Sequence, residues 1–237
     1  MIHIPIMKPE LNSFRDNIVS LWELNETTGT NAADAVGSND GTYTNTPTLA
    51  QSTVTNLTYS VLFDGEDQYV NCGTDASLDA GSDDFTLACW IKTSGQITDT
   101  RVIGGKGGTF TGGKRYTFFI NNGKWFFDID DNSAAKNVIA NSDLDDSAWH
   151  FLVGVRDVNN LRFYVDGVEQ TASPIDITGY GSLDSAKPFL IGALEREDTD
   201  VVDLEFPGYI DQPMFIKRVW SQSDIDYWYN EGAGRAH

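Results

Sequence analysis

Residues 149–170 carry the pattern that most limits how this chain can fold. Apolar side chains occupy alternate positions in two runs on either side of residues 157–160, and this period of two is typical of β-strands. The Asp and Asn residues between the runs favour a turn, and the pair Asp166-Gly167 favours a second tight turn. The stretch therefore predicts an antiparallel meander with one apolar side.

The order of residues in this meander also resembles a known family. A Trp-His pair at 149–150, an apolar strand, a turn and then FYVDG at 163–167 are similar to laminin-G-like domains of the concanavalin A-like jelly-roll superfamily. Other segments resemble further strands of that family in the family's order, namely VSLWELNE at 19–26 with NDGT at 39–42, VLFDG at 61–65, FTLACWI at 85–91 and GYID at 208–211. The resemblance runs from about residue 19 to residue 232, and it depends on the set of motifs because each motif alone is common.

This resemblance implies an all-β fold, a two-sheet antiparallel jelly-roll sandwich of the concanavalin A-like kind with a short C-terminal helix. A chain of 237 residues fits one such domain at 18–237, and Ser223 and Gly232 are suited to begin and end the helix. Residues 1–17 precede the family-like region, and their prolines predict an extended N-terminal arm. The arm is expected either to pack on its own domain or to reach a neighbouring subunit.

The composition excludes several kinds of partner. With 35 acidic and 16 basic residues the formal net charge is −19, which repels nucleic-acid backbones and disfavours an anionic membrane. No apolar run has the length of a membrane span or of a secretory signal, so we expect a complete chain without an ordinary export signal. Cys72 and Cys89 allow one disulfide, but Cys89 within an apolar strand favours a buried free thiol.

Catalytic patterns are weak in this sequence. A jelly-roll glycosidase needs two carboxylates flanking the sugar bond, and no predicted strand reads E-x-D-x-E or E-x-D-x-x-E, the patterns that would present them. The histidines, His3, His150 and His237, are not placed for nucleophilic catalysis or for zinc. The acidic cluster at 128–131 lacks the pattern of an EF-hand and is expected to be a solvated turn. The sequence therefore predicts a protein that is not an enzyme.

Calcium is the cofactor that the resemblance implies. Many jelly rolls of this kind hold a calcium ion where an acidic residue near the closing strand meets loop carbonyls near the opening strands, and the matching positions here are Asp64 and Asp211. Ca²⁺ prefers several oxygen ligands, in which the chain is rich. The alternative is that Asp64 only stabilises its turn and Asp211 only ends a strand.

Sugar binding requires aromatic faces beside polar side chains. Trp125 and Tyr164, with Arg156 and Arg162 on neighbouring predicted strands, are candidates for one such sheet face. Aromatic residues in strands also fill the core, so a purely structural role is the alternative for Trp125 and Tyr164.

Taken together, these patterns predict a non-catalytic surface or binding module. The arm, the acidic surface and the missing export signal favour a homo-oligomeric component of a bacteriophage particle, such as a capsid-decoration or fibre protein at the virion surface, which contacts other virion proteins and also binds glycans. The alternative is a carbohydrate-binding or adhesion domain of a bacterial surface or secreted system, located outside the cell. A glycosidase is the third candidate.

Overall fold

The computed structural model describes residues 11–108 and 112–237, and most of the regular structure within them is β-strand. The strands are β1 (Ile18–Leu21), β2 (Asn31–Ala32), β3 (Gly41–Thr44), β4 (Thr48–Gln51), β5 (Ser60–Asp64), β6 (Tyr69–Asn71), β7 (Phe85–Thr93), β8 (Arg101–Gly107), β9 (Arg115–Asn121), β10 (Lys124–Asp130), β11 (Ala135–Asp143), β12 (His150–Asp157), β13 (Asn160–Val165), β14 (Val168–Glu169), β15 (Ile175–Asp176), β16 (Phe189–Ile191), β17 (Leu194–Glu195), β18 (Val202–Asp203) and β19 (Pro207–Ile216). The α-helix is α1 (Gln222–Tyr229), and the 3₁₀ helices are Leu11–Arg15, Ala76–Leu78 and Asn230–Gly232.

Two large antiparallel sheets form the two layers of a sandwich. The nine-stranded sheet has the order β14-β13-β12-β7-β19-β5-β4, with β1 also beside β19 and β15 also beside β13. The eight-stranded sheet has the order β11-β10-β9-β8-β16-β6-β3-β2, and β17 and β18 form a separate hairpin. The predicted fold class is therefore confirmed, as a mostly-β sandwich of two antiparallel sheets with a short C-terminal helix.

The predicted meander is β12, β13 and β14. Leu152 lies opposite Val165, Asp157 lies opposite Asn160, and Val165 also lies opposite Val168. Alternate residues of these strands point between the sheets, because strand side chains alternate in direction. They meet the inner face of the eight-stranded sheet in one large apolar core, which includes Phe63, Phe85, Phe118, Phe127 and Phe163.

A second apolar cluster lies on the outer face of the nine-stranded sheet, where α1 covers it. The ring of Trp90 packs against that of Phe151 at 5.0 Å, and the rings of Trp220 and Trp228 stack at 6.0 Å. The helix begins after Ser221, whose hydroxyl and backbone form a capping box with Asp224, two residues earlier than the predicted cap.

The part of the predicted arm that the structure describes packs on its own domain. Phe14 stacks on Tyr227 of α1 with 4.2 Å between ring centroids, and Trp228 Nε1 donates to the carbonyl of Phe14 at 3.2 Å. Arg218 donates to the carbonyl of Asp16 at 3.0 Å. Residues 1–10 of the arm lie outside the described residues, so their predicted contact with a neighbouring subunit stays a prediction.

Two of the composition-based expectations can be compared with the structure. Cys72 and Cys89 are free and buried, and burial raises the pKa of both thiols. Among the described residues, no helix has the length and apolar character that crossing a membrane requires.

Candidate functional site

The four predicted sugar-binding residues do not share a sheet face. Trp125 lies in β10, is fully buried in the core and packs edge-on against Phe206 at 5.9 Å. Its ring therefore cannot stack on a sugar in this structure. The prediction that Trp125 shares a face with Tyr164 is wrong, because the two residues belong to different sheets.

The two predicted arginines also lie apart. Arg156 is 1% exposed and lies opposite the core residue Leu161, and its guanidinium donates to the carbonyls of Tyr180 and Gly181 at 3.2 and 3.1 Å. That side chain holds loops together at one end of the sandwich. The prediction that Arg156 lies on the sugar-binding face is therefore also wrong.

Only Arg162 and Tyr164 share a face, on the outer side of β13. Arg162 pairs with Glu169 at 2.8 Å, and Tyr164 is 8% exposed within the cluster under α1. Burial and the neighbouring Glu169 carboxylate raise the pKa of Tyr164. This pair offers too little ring surface to solvent to bind a sugar by stacking.

The structure does not place Asp64 and Asp211 on one ion. Asp64 lies opposite Pro207, and Asp211 is four residues further along β19, which corresponds to about 13 Å along a strand. Asp64 is exposed, and its carboxylate accepts a hydrogen bond from the backbone of Glu66 at 3.0 Å. Asp64 therefore stabilises its own turn, as the alternative predicted.

Asp211 has the surroundings of a hard-cation ligand by itself. It is fully buried, and its Oδ2 accepts a hydrogen bond from the Thr53 hydroxyl, whereas its Oδ1 has no hydrogen-bond partner. The side-chain oxygen of the adjacent Gln212 is also buried without a partner. Burial raises the pKa of Asp211 well above its usual range, and nearby Glu23 adds to the effect. These oxygens fit Ca²⁺ in kind, although no cluster of three His, Cys, Asp or Glu that could hold a metal occurs within residues 11–108 and 112–237.

The acidic cluster at 128–131 is not a solvated turn. Asp128 and Asp130 belong to β10, and both bind Arg115 of β9, at 2.6 and 3.0 Å. All three side chains are at most 10% exposed. Burial raises the pKa of Asp128 to about 6, although the Arg115 charge opposes this shift. The sequence showed the two carboxylates but not the buried cation between them.

The open part of the nine-stranded sheet presents a row of side chains that we call the aromatic strip. One side chain comes from each of five neighbouring elements, in the order Thr48, Leu62, Tyr209, Lys92 and Trp149. Each of the first four lies directly opposite the next one on the neighbouring strand. Trp149 lies beside Lys92, because the next residue of its strand, His150, lies opposite Ile91 and the strands are antiparallel. Thr48 is exposed and the other four are partly exposed.

Two aromatic rings in the strip lie close together, and one of them also contacts an ammonium group. The rings of Trp149 and Tyr209 meet edge to face with 6.1 Å between their centroids, and the Lys92 ammonium lies 4.7 Å from the centre of the Tyr209 ring. Sequence reasoning missed this site, although Trp149 began the meander and Tyr209 stood in GYID. The signal was the two-residue alternation in β19, which directs Tyr209 away from the core residue Ile210.

Two polar clefts lie next to the strip at the end of the sandwich, where several connections between strands meet. The larger has a volume of about 200 Å³ and is lined by Gln96, Ile97, Thr98, Asn122, Gly123, Asp143 and Asp145. The smaller, of about 120 Å³, is lined by Gln96, Ile97, Thr98, Asp99, Arg101 and Pro207. Asp145 accepts a hydrogen bond from the backbone of Ile97 at 3.0 Å, which ties two of these loops together. We call this end the acidic rim.

Pro207 joins the rim to the strip. It lines the smaller cleft and stands two residues before Tyr209, on the same face of β19. Trp149 follows the connection that carries Asp145 of the larger cleft. The strip and the rim are therefore linked through Pro207 and through the connection that leads from Asp145 to Trp149.

A larger cleft, of about 500 Å³, lies on another part of the surface. Its lining includes Asp83, Asp84, Val158, Lys217 and Arg218. Arg218 is already engaged, because its guanidinium forms two hydrogen bonds with Asp224, at 2.8 and 2.9 Å. This cleft has no aromatic ring in its lining, so it offers no platform for stacking.

Comparison with known proteins gives a family match over most of the chain. The family model described as the concanavalin A-like lectin/glucanases superfamily matches residues 64–226. No curated protein matches the chain significantly.

Solved structures with the same fold share little sequence with this chain. The binding domain of Paraclostridial Mosquitocidal Protein 1 superposes with a TM-score of 0.67 at 14% identity, over 92% of this chain and 53% of that one. Trypanosoma rangeli sialidase in complex with sialic acid gives 0.66 at 13%, over 90% and 32%. The receptor binding domain of botulinum neurotoxin D gives 0.65 at 15%, over 92% and 54%. This chain thus spans about half or a third of the length of these proteins, and the likeness establishes the fold alone.

Proposed function

Because the chain belongs to the concanavalin A-like lectin/glucanase superfamily, we propose that it is a non-catalytic carbohydrate-binding module that uses the aromatic strip and the acidic rim. The observation that carries this proposal is the pair Trp149 and Tyr209, whose partly exposed rings lie beside Lys92 on one face of the nine-stranded sheet. Aromatic rings with a polar tip suit ligands that are apolar on one side and polar on the other. A pyranose ring has this character.

The rim supplies the groups that such a ligand also needs. Asn122 and Gln96 carry amides, Thr98 carries a hydroxyl, and Asp143 carries a carboxylate. A few well-placed polar groups of this kind orient a sugar through its hydroxyls. Asp143 is held at 2.9 Å from Lys124, so the position of its carboxylate is partly fixed before a ligand binds.

The relatives in the comparison support a binding role without determining it. Two of them are named as binding domains, one of a mosquitocidal protein and one of a botulinum neurotoxin, and the third is a sialidase with bound sialic acid. We infer that this chain is not an enzyme because the carboxylates that alternate along β10, Asp128 and Asp130, are buried and bound to Arg115. They do not line a cleft that a sugar enters.

Calcium enters this proposal as a structural ion. Asp211, Gln212 and the hydroxyl of Thr53 are the groups that would hold it, and Asp64 is not among them. A bound Ca²⁺ would neutralise a buried carboxylate that is otherwise costly to ionise. The proposed sugar-binding surface does not depend on a bound Ca²⁺.

The expected role as a component of a bacteriophage particle stays a prediction, as does the expected position at a virion or cell surface. In that prediction, an arm at residues 1–17 docks the protein onto a larger assembly. Residues 11–17 of that arm pack on the domain itself. Phe14 stacks on Tyr227 of α1, and the carbonyl of Asp16 accepts a hydrogen bond from Arg218. Light scattering of the full chain with and without residues 1–10 would test the expected homo-oligomer.

A glycan array tests the carbohydrate-binding proposal. The wild-type chain should give saturable hits, and Tyr209→Ala and Trp149→Ala should each weaken them at least about tenfold, since removing a central aromatic contact typically costs about 2 kcal/mol. Tyr59→Ala is the matched control, because Tyr59 is 37% exposed and lies outside the strip. An array without hits, or hits that both strip variants retain, would refute the proposal, and turnover of a polysaccharide would refute its non-catalytic part.

A further inference from the structure

We propose that the aromatic strip binds an internal stretch of an extended, uncharged polysaccharide rather than an acidic sugar at a chain end. This inference rests on the proposed function and names the class of ligand for it. Four properties of the described surface carry it, namely the length of the strip, its position outside the two clefts of the rim, its apolar side chains and the charge around it.

The length of the strip suits a ligand with several sugar units. Five side chains in a row come from neighbouring strands, from Thr48 on the edge strand β4 to Trp149 before β12. Neighbouring strands lie about 4.8 Å apart, so the row extends for about 19 Å across the sheet. A monosaccharide would cover only part of such a row, whereas an extended chain that crosses the strands would contact all of it.

The shape of the strip favours the middle of a chain over its end. Sites that select one small group are concave and surround it on most sides. The side chains of the strip instead stand side by side on one sheet face, and none of its five residues lines the two clefts of the rim. An internal sugar unit presents its ring face to such a surface, and its neighbours in the chain continue along the row.

The strip is also apolar along most of its length. Leu62, Tyr209 and Trp149 contribute apolar surface. The ammonium of Lys92 contacts the Tyr209 ring, with 4.7 Å between its nitrogen and the ring centre. This arrangement favours stacking and hydrophobic contact over ion pairing.

Charge around the strip disfavours acidic sugars. The strand ends and connections at this end of the sandwich carry many carboxylates, namely Asp64, Glu66, Asp67, Asp99, Asp143, Asp145, Asp146, Asp203 and Glu205. The cations beside them are engaged, since Lys124 pairs with Asp143 at 2.9 Å and Arg101 donates to the Gly65 carbonyl at 3.2 Å. With a net charge of −19 on the whole chain, the field at this end repels anions and slows their approach. A shared fold with a sialidase therefore does not imply a shared acidic ligand.

The test is calorimetric titration of the full chain with four probes at low salt: a neutral β-1,4-linked disaccharide, its hexasaccharide, a hexagalacturonate and sialyllactose. We expect the hexasaccharide to bind at least about tenfold more tightly than the disaccharide, and both acidic probes to bind at least about tenfold more weakly than the hexasaccharide. The gap between the neutral and acidic hexamers should narrow at about 0.5 M salt, because screening shortens the range of the repulsion.

Leu62→Ala tests the length of the site separately from its aromatic centre. This variant should weaken the hexasaccharide and leave the disaccharide unchanged, whereas Val168→Ala, a change at a 62% exposed residue outside the strip, should alter neither. Sialyllactose or the galacturonate binding as tightly as the neutral hexamer, or equal affinities for disaccharide and hexasaccharide, would overturn the inference while leaving a carbohydrate-binding module. Binding of no probe here and of no glycan on the array would refute both proposals.

Discussion

The outer face of the nine-stranded sheet is divided into a covered part and an open part, and both parts are rich in aromatic rings. In the covered part Trp90 and Trp228 are at most 1% exposed, beneath or within α1. In the open part Trp149 and Tyr209 stand on the same face of the same sheet and remain partly exposed. The difference shows that the covering element, and not the residue type, decides whether an aromatic residue in a strand stabilises the fold or is available to a ligand.

The boundary between the two parts follows from the length of helix α1. Helix α1 has 8 residues, which corresponds to about 12 Å, so it reaches over only part of the sheet. Asp211 lies at the boundary, since it is buried and stands two residues beyond Tyr209 on the same side of β19. Asp211 thus interrupts the apolar surface along β19, whereas Trp149 of the strip still packs against the edge of the covered cluster.

Trp228→Ala should produce the largest effect and test the covered part. Trp228 is fully buried, stacks on Trp220 and donates to the Phe14 carbonyl, so truncation leaves a cavity and breaks the contact with residues 11–15. We expect the free energy of unfolding to fall by about 3–5 kcal/mol, measured by urea denaturation.

Trp228→Phe serves as the control, because it keeps most of the volume and should recover a large share of the loss. A loss below about 1 kcal/mol for the alanine variant would mean that α1 does not fix the covered part, and the comparison would fail.

Asp211→Asn tests the boundary and should have the next largest effect. Burial raises the pKa of Asp211, so the folded chain keeps this proton at pH values where the unfolded chain has lost it. Stability therefore falls as pH rises above about 4, the usual pKa of an aspartate, toward the raised value in the folded chain. The amide cannot ionise, so in chelator at pH 7 the variant should be more stable than wild type by about 1–3 kcal/mol, the cost of a buried unsatisfied group.

Calcium should reverse that order if Asp211 holds the ion. At a hundredfold excess over its dissociation constant, Ca²⁺ should stabilise the wild-type chain by about 2.7 kcal/mol and leave the variant unchanged. Thermal melts at pH 4 and pH 7, with Ca²⁺ and with chelator, measure both effects. Equal responses of the two proteins to Ca²⁺ would exclude Asp211 as the ligand.

The fold was largely predictable because its signals are local and repeated. The alternation around residues 157–160 predicted a pair of antiparallel strands, and the pairing of β12 with β13 agrees. The order of the FDG, YVDG and GYID segments predicted the two-sheet sandwich, which the two large antiparallel sheets confirm. The site was less predictable because it depends on which faces meet across the sandwich. Trp125 and Tyr164 look alike in sequence, yet they lie in different sheets.

The buried charges show the same limit. Asp128 and Asp130 resemble a solvated turn until β9 brings Arg115 beside them, 13 positions earlier in the chain than Asp128. Asp64 and Asp211 were paired by resemblance, but the register of β5 and β19 separates them. Register between distant strands is set by the whole apolar pattern, so single motifs do not reveal it.

Tyr209→Ala tests the open part and should change stability less than either variant above. Its ring is partly exposed and lies outside the covered cluster, so we expect a loss of at most about 1 kcal/mol in the free energy of unfolding, typical of substitutions near the surface. The same variant is expected to weaken glycan binding strongly, so this substitution should lower the affinity for glycans much more than the stability of the fold. A loss as large as that of Trp228→Ala would place Tyr209 with the structural aromatics and would erase the distinction between the two parts.

Lys92→Gln should have the smallest effect and sharpens the comparison within the strip. The Lys92 ammonium lies 4.7 Å from the centre of the Tyr209 ring in a partly exposed setting, where a cation–π contact contributes about 0.5–1 kcal/mol. A double-mutant cycle with Tyr209→Leu, read by urea denaturation, should give a coupling energy in that range, with Lys217→Gln as an exposed control that couples to neither residue. A coupling near zero would show that Lys92 is free of the ring and available to pair with an anion, which would weaken the expected preference for uncharged glycans. A coupling energy in the expected range would show that the cation of the strip, Lys92, is held by the Tyr209 ring. The expected preference for uncharged glycans requires this contact.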